Sequence, residues 1–175
     1  PKRRLAYTLE LAHNGRVWIA VNTQLANHAA AEGLAAGLFA GIPVPHQIYP
    51  EQPLGTHSRV DFVLQTDKEQ YFLEVKSVTQ RLRGGAAAFP DAVTARGLKH
   101  LHELMACIRA GRPAGMLYLV LRRDVTHFRP AAEIDPAYAR AWQAACTAGV
   151  AMHAFVLAPT LRGLAPPRQL RIRCR

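Results

Sequence analysis

Three ionisable residues stand inside the two most strand-like stretches of the chain, Asp61 in SRVDFVL and Glu74 and Lys76 in YFLEVKSVT. The Val, Leu, Phe and Tyr around them suit a half-buried pleated sheet, and TDKEQ between the runs reads as a hairpin loop. Side chains alternate along a strand, so Glu74 and Lys76 share a face and Val75 points to the other. Asp61 is expected to face away from both Val60 and Phe62, and a suitable hairpin register sets it beside Glu74. Adjoining carboxylates raise one another's pKa unless a cation lies between them. Mg²⁺ (or Mn²⁺) is such a cation, taking a few carboxylate oxygens, keeping several waters and leaving room for phosphate oxygens. On this reading Asp61 and Glu74 are metal ligands and the Val75 carbonyl is a third. Lys76 faces the scissile phosphate, where it stabilises developing charge or helps orient and deprotonate the nucleophile of a phosphodiester hydrolysis. A solvated cross-strand salt bridge is the plainer account of an acid-x-Lys strand. Phe72 and Val78, flanking Glu74 and Lys76 on the same face, weigh against a wet surface.

The elements that must position these groups follow from the pattern around them. LAYTLEL and RVWIAV flank HNGR, whose Asn14-Gly15 pair favours a tight hairpin turn. NTQLANHAAAEGLAAGLFAG is a helix opened by the capping candidates Asn22 and Thr23, with Leu25, Ala29, Glu32 and Ala36 at helical spacing. Glu32 on that stripe points an acid toward the core side, where it could join the cluster as an outer ligand; a partly exposed edge position is the alternative. IPVPHQIYPEQPLGTH reads as a proline-rich loop with one short strand, and GGAAAF as irregular. From Thr94, Leu98, Leu101, Met105 and Ile108 define a second helix. AGMLYLVLRR reads as a strand covered on both faces, Asp135-Pro136 starts a third helix, and VAMHAFVLA is a last strand before a basic, irregular tail. Strands that first meander and then alternate with helices indicate an α/β protein, a mixed β-sheet flanked by helices on both faces. The expected layout is one domain over residues 1–175: an N-terminal β-hairpin at 1–21, a core at 22–158 and a basic tail at 159–175.

Lys plus Arg number 22 against 12 acids, a formal charge of +10 and a pI near 10.3. Such an excess suits a polyanion, or a basic surface with no such partner. KRR at 2–4 opens the chain and RGLAPPRQLRIRCR closes it with five arginines and no acid. No apolar stretch approaches the ~20 residues of a spanning helix and the amino end lacks a signal-peptide core, so the expectation is a cytoplasmic protein with no membrane contact. Cys107, Cys146 and Cys174 have no metal-ligand spacing, which argues against a disulfide framework or zinc. His100 and His102 point in different directions on a helix, Asp91 suits a turn or cap, and GGAAA lacks the Lys-Ser/Thr of a nucleotide loop, so no small-molecule cofactor is expected. Trp18 and Trp142 read as core and form no obvious stacking platform. On the polar side of the second helix Arg96, Lys99 and His100 could reach phosphates, or could be a solvated face.

Asp, a hairpin's length, then Glu-x-Lys, preceded by a helical acid, resembles the PD-(D/E)xK nuclease superfamily with its restriction-endonuclease-like core. VNTQLAN at 21–27, SRVDF at 58–62, EVKSVT at 74–79 and FPDAVTARGLKHLHEL at 89–104 resemble, more specifically, the sugar fermentation stimulation protein family. That resemblance runs from PKRRLAYTLE to about position 158. It implies a DNA-binding protein with active-site acids Asp61 and Glu74, the lysine Lys76, the helical acid Glu32 and a Mg²⁺-dependent site. Contacts to the DNA phosphate backbone are expected from Arg59, Arg96, Lys99, His100 and the opening Lys2, Arg3 and Arg4. The family's small oligonucleotide-binding-like first domain is expected to be missing, because the sequence starts at the stretch matching PKRR. A non-catalytic DNA-binding regulator of sugar-metabolism genes, or a module meeting RNA or an acidic protein, is the competing expectation, and a homodimer stays open.

Overall fold

The computed structural model describes residues 7–55 and 58–173, so Lys2, Arg3, Arg4 and Cys174 lie outside the described residues. Asn14-Gly15 turns the opening hairpin of β1 (Leu11–His13) and β2 (Trp18–Ala20), with Gly15 at φ +86° and Asn14 Oδ1 accepting the amides of Arg16 and Val17. Helix α1 (Gln24–Ala35) begins where Asn22 Oδ1 accepts the Gln24 amide. An antiparallel meander of β3 (Gln47–Leu54), β4 (Ser58–Gln65) and β5 (Gln70–Val78) comes next. The chain then alternates through β6 (Ala86–Phe89), α2 (Ala95–Arg109), β7 (Ala114–Val120), β8 (His127–Pro130), α3 (Pro136–Thr147) and β9 (Ala151–Val156). It closes with the two-residue strands β10 (Pro159–Thr160), β11 (Gly163–Leu164), β12 (Arg168–Gln169) and β13 (Arg171–Ile172).

The main sheet has the order β12-β9-β7-β5-β4-β3, parallel through β5, β7 and β9 and antiparallel at both edges. Strict alternation along its central strands feeds two separate apolar layers. Leu73, Val75, Leu117 and Leu119 meet α1 through Ala26, Ala30 and Leu34. Phe72, Val78, Met116 and Tyr118 meet α2 and α3 through Leu101, Leu104, Tyr138 and Trp142. β7, buried along its whole length, is the strand that both layers need. One carboxylate ties the two helices of the second layer together. Asp135 Oδ1 caps α3 at the Tyr138 amide and Oδ2 accepts the Thr94 amide, each at 2.9 Å, while Thr94 Oγ1 caps α2 at the Gly97 amide, 3.0 Å away.

Three expectations are corrected. The proline-rich segment is a full edge strand, β3, since an edge needs only one side of its hydrogen-bonding groups and tolerates Pro50 and Pro53. Ala86–Phe89 and His127–Pro130 are the adjacent parallel strands of a second sheet, ordered β13-β8-β6. Gly84 and Gly85, at φ +78° and +82°, confine the irregularity to themselves. The basic tail is not irregular either, because β12 extends the main sheet and β13 the second one.

Gly115 shows how tightly the α1 layer is packed. A Cβ there would stand 2.1 Å from the Tyr71 hydroxyl and 3.0 Å from the Ala151 carbonyl oxygen. The hydroxyl is buried 3.4 Å from His153 Nε2. Gly115→Ala is therefore expected to destabilise by about 1–3 kcal/mol, as overpacking of a close-packed core does. Urea unfolding of Gly115→Ala beside Gly115→Ala/Tyr71→Phe checks this, with partial recovery expected in the second because it removes the clashing oxygen.

Candidate functional site

The site forms where the meander loses its regularity. The β3–β4 register runs from Gln47↔Gln65 to Leu54↔Ser58 with its Glu51–Asp61 rung missing, and Glu51 holds a left-handed φ of +52°. The β4–β5 ladder starts only at Phe62↔Leu73. Val60 packs in the α2–α3 layer and Phe62 in the α1 layer, although two residues apart should share a face. The expectation that Asp61 faces away from both neighbours is thus corrected: alternation breaks at Asp61 itself. Its carboxylate bridges to β5, beyond the start of the β4–β5 ladder, with Oδ2 accepting the Val75 amide at 2.8 Å, and Oδ1 accepts from Asn27 Nδ2 of α1 at 3.1 Å.

Glu74 and Lys76 share the α2 side of β5, as their spacing indicates, and Lys76 Nζ lies 2.6 Å from Glu74 Oε1. His100 of α2 bonds the same oxygen through Nδ1. Arg96 Nε donates to His100 Nε2 at 3.4 Å, which leaves Nδ1 to donate to Glu74. No hydrogen bond among the described residues reaches Glu74 Oε2. The two carboxyls are driven apart electrostatically. Burial, and then the charge of Glu74, hold Asp61 above the usual carboxylate range against the pull of the Val75 amide. Burial also acts to raise Glu74, but the His100 hydrogen bond and the Lys76 charge outweigh it and leave the group below that range.

Asp61, Glu74, Val75, Lys76 and Arg96 line one cleft of about 430 Å³, together with Thr23 and Asp91. A second groove of about 610 Å³ meets it at Asp61 and Asn27 and carries Glu32 and Glu51. Glu32 is exposed there, which corrects its expected core-side position. The buried stripe of α1 is Ala26, Ala29, Ala30, Gly33 and Leu34, rotated away from it. His100 is also corrected from a polar helix face to a site 5% exposed against Glu74. Lys99 is exposed and lies 3.7 Å from Glu103, and Arg59 is exposed on β4 outside both clefts. Among the described residues no group of three His, Cys, Asp or Glu stands at metal-holding distance. Asn27 was missed by sequence reasoning. Its only signal was a polar residue beside the apolar stripe of a helix, within VNTQLAN.

A mixed sheet covered by α1 on one face and α2 and α3 on the other, with Asp61, Glu74 and Lys76 where two of its strands part, defines an α/β protein of restriction-endonuclease-like fold. Residues 24–163 match the family described as the sugar fermentation stimulation protein RE domain. The chain belongs to the sugar fermentation stimulation protein family. It is 45% identical over 158 residues to the homolog from Syntrophotalea carbinolica, covering 89% of this chain and 66% of that protein. With the Geobacter sulfurreducens homolog it shares 42% over 172 residues, 98% of this chain and 71% of the relative. The structure of Pyrococcus furiosus SfsA in complex with Ca²⁺ matches with a TM-score of 0.86 at 27% identity, over 94% of this chain and 71% of that one. The chain therefore spans about two thirds of the length of such relatives. No described helix is long and apolar enough to cross a membrane.

Proposed function

We propose that the chain binds DNA through phosphate contacts and hydrolyses a phosphodiester with a divalent cation held by Asp61, Glu74 and the Val75 carbonyl. The observation that carries this reading is the convergence of Asp61 and Glu74 from two strands onto one cleft with Lys76. The donor set fits Mg²⁺ or Mn²⁺. It offers hard carboxylate oxygens, each Asp61 oxygen keeps one lone pair beyond its single protein hydrogen bond, and Glu74 Oε2 is left by the protein donors. Two protein carboxylates rather than a full cage suit an ion that retains waters. The Ca²⁺ bound by the Pyrococcus furiosus relative, another hard oxygen-seeking ion, supports the same chemistry.

A bound cation would supply Lewis-acid stabilisation of the charge that gathers on the phosphoryl oxygens. The chain's own residues do the rest. Arg96, on the cleft wall, binds a phosphate and is oriented by its contact with His100. His100 and Lys76 fix Glu74 by bonding its Oε1, and the Lys76 ammonium lies where it can orient water or stabilise the charged phosphoryl group. Hydrolysis joins the water oxygen to phosphorus, breaks one ester P–O bond, and passes a proton from water as the leaving oxygen gains one.

Nicking of plasmid and branched DNA with Mg²⁺ tests the reading. Lys76→Ala is expected to slow it on the order of 100-fold, as loss of one preorganised charge-stabilising donor does, and Glu74→Gln to abolish it. Undiminished nicking by both variants refutes the assignment. DNA affinity is expected to fall steeply with salt. The second reading, a regulator of sugar-metabolism genes that never cleaves, is favoured by one feature: Lys76 and His100 already compensate Glu74 without a cation. Calorimetric titration with Mn²⁺ separates the two, since the regulator has no need of the ion.

A further inference from the structure

A third cleft, of about 560 Å³, is walled by three chain-distant segments. The opening hairpin gives it His13, Arg16 and Trp18, the stretch after β7 gives Arg123, and the β10–β11 turn gives Leu161 and Arg162. Among the described residues none of these three arginines forms an ion pair, and no acid lines the cleft. All three are exposed. Guanidinium groups lining one cleft with no acid among them repel one another, and an anion bound there relieves the repulsion. Trp18, expected in the core, lies only partly in it. Trp18 is half-buried, with its ring centroid 4.8 Å from that of His13, whereas Trp142 is wholly buried. Indole surface among unpaired arginines is the composition that binds single-stranded nucleic acid, where bases stack and phosphates pair. A duplex keeps its base faces hidden and gains nothing from Trp18.

The cleft shares no lining residue with the Asp61 site, but two chain segments connect their walls. Val17 and Trp18 line it, while Val21 and Thr23 line the Asp61 cleft. Trp18 and Val21 are three residues apart on nearly extended chain, about 10 Å. On the other wall Arg122 Nη1 bonds the Thr79 carbonyl at 2.8 Å, joining a residue of the Asp61 cleft to the neighbour of Arg123.

We propose that Arg16, Arg123 and Arg162, with Trp18, form a subsite for an unpaired DNA strand leaving the Asp61 cleft. This rests on the DNA-hydrolysis reading above and adds the strand form it engages. The test measures anisotropy of labelled oligo-dT in EDTA across a salt series, for the unsubstituted protein, for Arg16→Gln/Arg123→Gln/Arg162→Gln and for the triple Lys variant, with thermal melts confirming folding. Losing three phosphate contacts is expected to flatten the slope of log K against log salt by about 2, while the Lys variant keeps the slope. Oligo-dT is also expected to quench the emission of Trp18, the accessible indole. Unchanged affinity and slope in the Gln variant overturn the subsite. If the unsubstituted protein ignores oligo-dT yet binds and nicks duplex, the subsite falls and the hydrolase reading stands. If it neither binds nor nicks either form, both fall.

Discussion

Asp61→Asn is expected to melt at a higher temperature than the unsubstituted protein in EDTA and to gain nothing when Mg²⁺ or Mn²⁺ is added. The first half follows from electrostatics. Asp61 is held above its usual range by burial and by Glu74, so the folded protein binds that proton more tightly than the unfolded chain does. The stability this proton confers is present below the unfolded value of 3.8 and lost as pH rises through the raised folded value. At neutral pH the ionised carboxyl is thus a net cost, and a neutral amide removes it. Both hydrogen bonds survive, because the new oxygen still accepts the Val75 amide and a turn of the Asn27 amide lets it accept from the new NH₂ group. The midpoint is expected to rise by a few degrees, since about 1 kcal/mol moves it by about 2–4 °C in a chain of this size. The second half follows from ligand chemistry. A cation that binds only the folded state raises the unsubstituted midpoint with concentration, and Asp61→Asn loses a charged ligand. Scanning calorimetry with and without Mn²⁺ checks both. A cation-induced rise of equal size in the variant refutes Asp61 as a ligand.

Asp135→Ala is expected to destabilise by about 3 kcal/mol, combining a lost helix cap with an orphaned Thr94 amide, and so to lower the midpoint by about 6–12 °C. Asp135 is 3% exposed and serves both helices of the second layer, so neither amide gains water when it is removed. Asp135→Asn, keeping one good acceptor, falls between. The Thr94 amide first, and the Tyr138 amide next, hold the Asp135 carboxyl below its usual range. Its contribution is therefore complete above the unfolded value of 3.8 and disappears as pH falls through the lower folded value. Urea unfolding at pH 7 and at pH 3 is expected to show the deficit at full size in the first and reduced in the second. The loss also reaches the candidate site, because Arg96 and His100 stand on the first two turns of α2. Weaker Mn²⁺ binding is the second expected effect.

What was legible in the sequence was what local composition determines. The β-branched and aromatic runs gave β4, β5 and β7, and the period of two placed Glu74 and Lys76 on the face of Phe72 and Val78. Long-range partners decided the rest. His100 sits among Arg96, Lys99 and Glu103 and reads as surface, and only Glu74, 26 positions earlier, explains its burial. Glu32 was misplaced because an alanine-rich helix gives almost no contrast between its faces. β6 and β8 are short, and they make sense only as neighbours in a sheet that β13 completes. The break at Asp61 depends on the left-handed Glu51 of a neighbouring strand, which no period along β4 could reveal.

The same strand limits how one copy of the molecule could join another. Among the described residues β3 is the last strand on its side of the sheet, and it carries two prolines that donate no hydrogen bond and a glutamate with a left-handed backbone. An incoming strand finds no continuous template there, so edge-to-edge extension of the sheet is disfavoured on that flank. A symmetrical pairing of two chains across this border is thereby disfavoured, which leaves side-chain surfaces or the β12 border of the sheet for it.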